Sequence, residues 1–324
     1  MEISGKKVLV TGGAGFIGSH LVEVLLRQGA IVSVIDDFDD FYQGKEGNIS
    51  VSLANPKFLL VRGTILDYDT LSRAIDGSSV VFHLAAQAGV RYCLKNPLKA
   101  NEVNVTGTVN VLEACRKQRV QKVIVASSSS VYGNPIKVPI SEVHPLDPTN
   151  PYGASKLAAE KYCMSYFMSY GLPVTALRYF SVYGPRGRPD QVLYSMAERA
   201  SKGLPPEIFG DGRQSRDFTY VSDIVSGTVM AALRDDSVGK VFNLGFGREF
   251  SILDAANRIS NFFDLRTGPA FRVAYKGDFT RTLCDNRRAE RELGWVPQVG
   301  FAAGLQKFLE WFAAQRTAQA RIQE

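Results

Sequence analysis

Tyr152 and Lys156 have side chains of types that can move a proton, and they stand four positions apart in the segment PYGASK. If this segment is helical, both side chains share one face and point at the same small volume. A tyrosine normally titrates near pH 10, and a neighbouring ammonium favours its phenolate. A shift of about 3 pKa units corresponds to roughly 4 kcal/mol. The pair could therefore act as a general base near neutral pH, although the same spacing also occurs on ordinary surface helices.

Ser128 lies upstream, in a run of four serines that ends an apolar, strand-like segment. In open α/β sheets the ligand crevice lies at the carboxyl ends of the strands. A hydroxyl at that place could bond the reacting oxygen of a substrate and share its proton with Tyr152. Without this context, the run is equally compatible with a serine-rich loop.

Gly12, Gly15 and Gly18 form a GxxGxxG loop between a predicted strand and a predicted helix. Such a loop permits a tight turn, close approach of the backbone to a pyrophosphate, and close helix–strand packing. The next strand ends in Asp36, whose carboxylate can bind the adenosine ribose and disfavours a 2′-phosphate. We therefore predict NAD rather than NADP as the cofactor. The alternative is an ordinary glycine turn followed by a solvated acidic loop.

Short β-branched runs alternate with helical patterns along the first half of the chain. Strands are predicted over Val8–Val10, Ile31–Ile35, Phe58–Val61, Val80–Leu84, Val123–Ala126 and Pro173–Phe180. Helices are predicted over Phe16–Gln28 and Val103–Lys117, from near Tyr152, and over Ser251–Phe263 and Phe301–Ala314. This alternation predicts an α/β fold with a Rossmann-type, doubly wound parallel sheet. Glycine and proline become frequent beyond about residue 182, which predicts a smaller mixed α/β C-terminal lobe.

The domain boundaries follow from this change of texture. We assign residues 1–180, with about 217–245, to an NAD-binding Rossmann domain. Residues of about 181–216 and 246–324 are assigned to a lobe that binds the other ligand.

The composition of the 324 residues, 45% hydrophobic and 22% charged, is typical of a globular protein. No apolar run reaches the about 18 residues of a membrane span, and a strand pattern that begins near Lys6 leaves no room for a signal peptide. The net charge of +6 includes no basic run, so we expect an anionic small ligand rather than nucleic acid. Three histidines and four cysteines without metal-binding spacing predict no metal site and a cytoplasmic protein with reduced thiols.

Together these motifs resemble the extended short-chain dehydrogenase/reductase family, in its NAD-dependent sugar epimerase/dehydratase branch. The resemblance runs from Lys6 to the segment LGWVP near the C-terminus and includes the triplet RYF after the Tyr-x-x-x-Lys motif. It implies that Tyr152 is the base, that Lys156 holds the nicotinamide ribose and lowers the tyrosine pKa, and that Ser128 bonds the sugar O4. Further cofactor contacts are implied for Phe16, Ile17, Ala85, Asn104 and Tyr179.

Other positions are implied to hold a nucleotide sugar in the C-terminal lobe. Arg216 resembles the arginine that grips the diphosphate, and Asp278 resembles a ligand of the nucleotide ribose. Two positions depart from the family pattern. Thr64 stands where related chains often have an aspartate near the adenine, and Tyr275 stands where some epimerases have an arginine for the diphosphate. Arg281 could supply the latter contact.

The reaction type depends on the two residues after Ser128. Sister dehydratases have an Asp–Glu pair there and sister decarboxylases keep a glutamate at the second position, whereas this chain has Ser129 and Ser130. A serine hydroxyl is a poor proton acceptor compared with a carboxylate, which disfavours dehydration and decarboxylation. The remaining reaction is 4-epimerisation, by oxidation at C4, rotation of the 4-keto sugar and hydride return to the other face. The resemblance also implies a homodimer, through helices near residues 100–118 and 152–170.

Two segments, AAQAGVRY and FSVYGPRGRPD, resemble those of UDP-glucuronate 4-epimerases within the family. We expect Arg188 to hold the C5 carboxylate of a UDP-sugar through two parallel bonds, with help from Ser181. Gln87, Arg91 and Ser129 are further predicted substrate contacts. One alternative is a UDP-glucose or UDP-N-acetylglucosamine 4-epimerase, in which Arg188 is a phosphate contact or a surface charge. Another is a non-catalytic NAD-binding relative.

Overall fold

The computed structural model describes residues 2–274 and 280–323. Its strands are β1 Lys7–Thr11, β2 Ile31–Asp36, β3 Phe58–Arg62, β4 Val80–His83, β5 Lys122–Ser128, β6 Val174–Tyr179, β7 Val182–Tyr183, β8 Glu207–Phe209, β9 Ser215–Arg216, β10 Thr219–Tyr220, β11 Val241–Leu244, β12 Phe250–Ser251 and β13 Ala270–Arg272. Its helices are α1 Phe16–Arg27, α2 Lys45–Leu53, α3 Tyr68–Ile75, α4 Val90–Lys95, α5 Pro97–Asn101, α6 Gly107–Lys117, α7 Pro151–Tyr170, α8 Val192–Ala200, α9 Val221–Leu233, α10 Ile252–Phe262, α11 Arg287–Leu293 and α12 Phe301–Gln323.

Seven parallel strands form the central sheet, in the order β11-β6-β5-β4-β1-β2-β3. The four middle strands β6, β5, β4 and β1 are almost entirely buried, as expected where helices cover both faces of a parallel sheet. The strand order reverses between β1 and β4, and ligands of open α/β sheets bind outside the carboxyl ends of the strands at such a point. The predicted doubly wound sheet is confirmed.

Helix α7 carries the predicted proton-transfer pair, and local signals fix where it begins and ends. The side chain of Asn150 accepts a hydrogen bond of 3.0 Å from the Gly153 N–H, and Pro151 occupies the first helical position, which needs no N–H donor. Gly171 ends the helix in the left-handed conformation, at φ 68°. Tyr152 and Lys156 therefore lie in the first two turns of a helix that packs on β5 and β6.

The smaller lobe combines three short two-stranded ladders, β8–β13, β9–β12 and β7–β10, with helices α8, α10 and α12. Phe301, at the start of α12, stacks on Phe218 and Phe250 with ring centroids 5.1 and 4.5 Å away. These aromatic rings belong to the same apolar cluster as residues of the central sheet. The lobe is therefore packed on the Rossmann core, and the division of the chain into two domains stays a prediction.

Each strand predicted from the sequence forms within two residues of its expected bounds. One predicted helix, Val103–Lys117, differs in detail, because residues Glu102–Thr106 form a π-helical turn and α6 begins at Gly107. The wider turn carries Asn104, which is buried and bonded to the backbone of another segment. No helix in the described part of the chain is both long and apolar enough to cross a membrane.

Candidate active site

The glycine loop between β1 and α1 packs so tightly against neighbouring backbone that side chains at Gly12 and Gly18 would not fit. Gly12 has φ 70°, and a Cβ on it would lie 2.7 Å from the backbone nitrogen of Ala85. A Cβ on Gly18 would lie 2.1 Å from the carbonyl oxygen of Gly12. Gly15 precedes the first turn of α1, whose free N–H groups and positive dipole end form an anion-binding position. The loop thus presents backbone rather than side chains to a ligand.

A cleft of ≈ 1050 Å³, here called the cofactor cleft, opens at the carboxyl ends of the central strands. It brings together most of the residues predicted for the cofactor or for proton transfer, namely Gly12, Gly15, Phe16, Ile17, Gly18, Asp36, Ala85, Tyr152, Lys156 and Tyr179. Gln87 and Arg188, which were predicted to bind the substrate, line the same cleft.

Asn104 was predicted to line the cofactor cleft, and the structure places it behind Gln87 instead. Its side-chain oxygen accepts a hydrogen bond of 2.7 Å from the Gln87 N–H, and its amide nitrogen lies 3.0 Å from the Gln87 carbonyl oxygen. The same nitrogen donates to Ser155 Oγ at 2.9 Å. Asn104 therefore fixes the backbone of Gln87 against the second turn of α7.

Asp36 ends β2 at the rim of the cofactor cleft, as predicted. Its two carboxylate oxygens accept hydrogen bonds of 2.9 Å, one from the Ala14 N–H and one from the Phe38 N–H. Burial raises the pKa of Asp36 above its ordinary value, and these N–H donors act in the opposite direction. Each oxygen keeps a lone pair with which it can accept a ribose hydroxyl.

Tyr152 and Ser128 meet where α7 packs against the end of β5. Burial raises the pKa of Tyr152 above its ordinary value, while the positive charge of Arg188 and a hydrogen bond with Ser128 lower it. Ser128 is buried, and its Oγ also accepts a hydrogen bond of 3.1 Å from the Ser130 N–H. Arg188 is therefore the charged group that most favours the phenolate form of Tyr152.

Lys156 lies in the cofactor cleft one helical turn after Tyr152. Its side chain is buried, and burial lowers the pKa of Lys156 to about 8, with Cys163 and Glu160 acting in the opposite direction. A lysine at this place can hold a ligand hydroxyl with its ammonium, and a negative group nearby favours its charged form.

Arg178 and Glu160 form a buried ion pair directly behind the proton-transfer residues. Arg178 Nε lies 2.9 Å and Nη2 lies 2.5 Å from the two Glu160 oxygens, and both side chains are almost fully buried. Ser127 Oγ donates to Glu160 at 2.8 Å, and Arg178 Nη1 donates to Tyr132 Oη at 2.7 Å. Tyr132 in turn donates to Asn243 at 2.6 Å. This network ties β5, β6, β11 and α7 together beneath the serine run.

A second cavity, of ≈ 850 Å³, adjoins the cofactor cleft, and Tyr152 and Arg188 line both. Arg188 makes a two-pronged ion pair with Asp190, with Nε–Oδ1 and Nη2–Oδ2 distances of 2.9 and 3.1 Å. Arg91 also lines this cavity, where its guanidinium lies 4.9 Å from the ring centre of Phe209. The predicted proton-transfer residue Tyr152 and the predicted substrate-binding residue Arg188 therefore lie together where the cofactor cleft joins the second cavity.

The other residues predicted to bind the substrate lie farther from this junction. Ser181 and Arg216 line a third cavity, of ≈ 580 Å³. Ser129 lies in the 3₁₀ turn after β5 and lines none of these three cavities. Arg281 makes a two-pronged ion pair with Glu249 at the exposed surface. Asp278 lies outside the described residues, as does Tyr275.

Sequence and structure comparisons identify the family. The model of the NAD-dependent epimerase/dehydratase family matches residues 8–245. This chain belongs to that family. UDP-glucose 4-epimerase of Mycolicibacterium smegmatis is 38% identical over 94% of this chain and 98% of its own. The solved UDP-glucuronic acid 4-epimerase of Bacillus cereus, in complex with UDP-glucuronic acid and NAD, is 36% identical, with a TM-score of 0.91 over 95% of this chain and 99% of its own.

A third member of the family is a UDP-N-acetylglucosamine 4-epimerase of Methanobrevibacter ruminantium, solved in complex with UDP-N-acetylmuramic acid. It is 32% identical, with a TM-score of 0.90 over 96% of this chain and 99% of its own. The predictions of family, fold class and NAD as the cofactor are confirmed. Similarity alone does not select among these sugars, since the identities lie close together.

The cofactor cleft of this epimerase/dehydratase family member fits NAD on its own observations. Gly12 and Gly18 have no Cβ atom, so the backbone of the loop can approach a pyrophosphate closely. Asp36 stands at the end of β2, where it can accept ribose hydroxyls. The side-chain amide nitrogen of Gln87, Nε2, is buried in the cleft and has no hydrogen-bond partner among the described residues. It is therefore available as a donor to a ligand.

Replacing Gly18 with alanine is expected to weaken NAD binding by at least about 10-fold, which corresponds to about 1.4 kcal/mol. The new methyl group collides with backbone at Gly12, so the loop itself must move away from the pyrophosphate position. Calorimetric titration of NAD-depleted protein measures the effect. The matched control is Gly47→Ala in α2, where a Cβ meets nothing within 4 Å. Equal NAD affinity in the two variants would show that the loop is not the pyrophosphate site.

Sequence reasoning missed several residues of the two cavities. Phe41, Tyr42 and Lys45 lie in the cofactor cleft, although none of them was predicted as a site residue. Glu207 and Phe209 line the second cavity from β8. Aromatic residues inside an otherwise acidic loop were the available signal for Phe41 and Tyr42, whereas a three-residue strand gives none.

Proposed function

We propose that this protein is an NAD-dependent UDP-sugar 4-epimerase and therefore an isomerase. The observation that carries the proposal is the position of Tyr152, which lines both the cofactor cleft and the second cavity. A base at this junction can reach a sugar hydroxyl next to a bound nicotinamide. The names of the relatives in the family support the same activity.

NAD bound in the cofactor cleft supplies the hydride acceptor for C4 and the donor that reverses the step. Tyr152 takes the proton from O4 and returns it after the 4-keto sugar has rotated. Ser128, whose side chain influences the pKa of the phenol, holds O4 beside it. Lys156 and Arg188 supply positive charge that favours the phenolate. Ser129 and Ser130 stand where the sister dehydratases and decarboxylases have carboxylates, which supports return of the 4-keto sugar to a hydroxyl.

The remaining roles belong to the same proposal. Gly12, Gly15, Phe16, Ile17, Gly18, Asp36, Ala85 and Tyr179 contact NAD, and Asn104 acts through Gln87. The smaller lobe binds the nucleotide sugar, with Arg216 toward the diphosphate. We propose a homodimer through the helices near residues 100–118 and 152–170, the second of which exposes Tyr162, Met168 and Tyr170. Four buried free cysteines support a location in the cytoplasm.

For the substrate, we propose UDP-glucuronate, which is converted to UDP-galacturonate. Arg188 lies beside Tyr152, and its guanidinium already binds one carboxylate, that of Asp190, with the two parallel bonds that a C5 carboxylate would accept. The same ion pair favours the second candidate, a UDP-glucose or UDP-N-acetylglucosamine 4-epimerase. If Asp190 stays in place, the charge of Arg188 is neutralised and a neutral sugar fits better.

Arg188→Ala is expected to lower kcat/KM for UDP-glucuronate by about 10- to 100-fold more than for UDP-glucose, because a hydrogen bond to a charged group contributes about 1.5–3 kcal/mol. Asp190→Asn removes the internal carboxylate and is expected to lower KM for UDP-glucuronate by up to about 5-fold, the value of a partly exposed ion pair. Proton NMR of C4 inversion, run with each UDP-sugar separately, measures both effects and detects any CO₂ loss.

Arg213→Ala is the control, since that side chain is 90% exposed. A loss in Arg188→Ala that is common to both sugars measures the effect of Arg188 on the pKa of Tyr152. If Arg188→Ala lowers kcat/KM equally for UDP-glucuronate and UDP-glucose, the assignment of UDP-glucuronate as the substrate is contradicted, but the proposed 4-epimerase activity is not. No turnover of any UDP-sugar by the unaltered protein would contradict the epimerase itself.

A further inference from the structure

The segment between β2 and α2, residues 37–44, folds over the cofactor cleft and is here called the β2–α2 loop. Phe41 and Tyr42 line the cleft from this loop, and Lys45 does so from the first position of α2. Phe41 packs edge-on against Tyr92, with ring centroids 4.8 Å apart. Lys45 is buried and bonded to Asp39, both to its side chain and, at 2.8 Å, to its carbonyl oxygen. The loop is therefore anchored on both sides of Tyr42.

The Tyr42 hydroxyl is buried beside the N-terminus of α1. It lies 3.6 Å from the point that a Cβ on Gly15 would occupy, and its oxygen faces the Phe16 N–H. Within the part of the chain that the structure describes, this hydroxyl has no hydrogen-bond partner of normal geometry. A phenol oxygen that faces an N–H directs its own proton elsewhere, so the group that this hydroxyl needs is an acceptor.

Neighbouring carboxylates do not accept this proton in the structure, since the Tyr42 hydroxyl has no hydrogen-bond partner among the described residues. The hydrogen bonds that Asp36 and Asp39 do make come from the Ala14 and Phe38 N–H groups and from the Lys45 ammonium. Gly15 and the first N–H groups of α1 form the place where a dinucleotide pyrophosphate is expected. A buried donor that has no acceptor is costly, and donors that are left unpaired next to an anion-binding helix end suit a ligand with exposed oxygens.

We propose that Tyr42 donates its hydroxyl proton to the pyrophosphate of bound NAD, and so serves as a cofactor-binding residue outside the glycine loop. The inference rests on NAD as the cofactor and not on which sugar is epimerised. Burial raises the pKa of Tyr42 to about 12, with Arg188 acting in the opposite direction, so the hydroxyl stays a donor at neutral pH. Lys45 Nζ also lies 5.0 Å from the centre of the Tyr42 ring, and this cation–π contact keeps the Tyr42 side chain oriented.

Tyr42→Phe tests this directly, because it removes the oxygen and keeps the ring. We expect the Kd of NAD-depleted protein for NAD to rise about 10-fold, as for one lost hydrogen bond to a charged group. Binding of ADP-ribose, which contains the pyrophosphate, should weaken by the same factor, whereas adenosine, which has no phosphate, should bind as it does to the unaltered protein. The NAD content of the purified protein should fall in parallel.

Tyr92→Phe is the matched control, since it removes a hydroxyl from the ring that packs on Phe41. An unchanged Kd for NAD and ADP-ribose in Tyr42→Phe would overturn the proposal. An equal loss for adenosine would also overturn it, because the hydroxyl would then act on the adenosine end or on the folding of the loop. These outcomes are independent of epimerase activity, so they are distinguishable from a failure of the proposed reaction.

Discussion

Replacing Tyr152 with phenylalanine is expected to lower kcat for 4-epimerisation by about 10²–10⁴-fold, the range of a lost general acid–base group. The substitution keeps the ring at the start of α7 and removes the phenol oxygen, whose pKa Arg188 and Ser128 lower. Loss of proton transfer affects turnover more than binding, so KM for the UDP-sugar should change little. Proton NMR of C4 inversion at saturating substrate measures kcat.

The control for this variant is Tyr166→Phe, on the same helix, whose hydroxyl lies 3.4 Å from Glu113 and away from the cofactor cleft. It should keep kcat within about twofold of the unaltered protein. Tyr152→Phe should also retain its bound NAD and its unfolding temperature. A Tyr152→Phe protein that keeps more than about a tenth of the normal kcat would show that another group accepts the O4 proton.

The fold was largely predictable because its strongest signals are local. Val80–His83 and the segment Val123–Ala126 of β5 are buried on both faces, and such strands have nearly continuous apolar sequences. The seventh strand, Val241–Leu244, has four residues and no distinctive pattern, and it joins the sheet only through its partner β6. The two-residue strands of the smaller lobe are defined by pairing across the chain, which no periodicity shows.

The structure brings together most readily those predicted site residues that are close in sequence. Gly12, Gly15 and Gly18 lie in one loop, and Tyr152 and Lys156 lie on one helical turn, so spacing alone determines which of them can meet. Contacts such as that of Tyr42 with the start of α1 depend on how a loop folds back over the sheet. Sequence reasoning found Arg188 but not its ion pair with Asp190, which changes what Arg188 offers to a sugar.

The buried pair Arg178–Glu160 is the clearest case of a feature that only the fold reveals, because its two residues come from β6 and α7. Glu160→Gln is expected to lower the free energy of unfolding by about 3–5 kcal/mol, since it leaves the Arg178 charge buried without a counter-charge. Both side chains are almost fully buried, so water cannot replace the lost carboxylate. Urea unfolding followed by circular dichroism measures the loss, with Glu198→Gln in an exposed pair as the control.

A double variant separates the cost of an unpaired charge from the value of the pair. Glu160→Gln combined with Arg178→Met removes both charges, and it should be more stable than Glu160→Gln alone, because replacing a whole buried pair by apolar groups is often nearly neutral. If the double variant is less stable than Glu160→Gln, the hydrogen bonds of Arg178 to Tyr132 and to the Glu142 carbonyl oxygen contribute more than the unpaired Arg178 charge costs. Glu160 also favours the charged form of Lys156 one turn earlier, so Glu160→Gln should lower the pKa of Lys156 further. The network beneath the serine run thus links the stability of the sheet to the charge of the residue that is proposed to hold the cofactor.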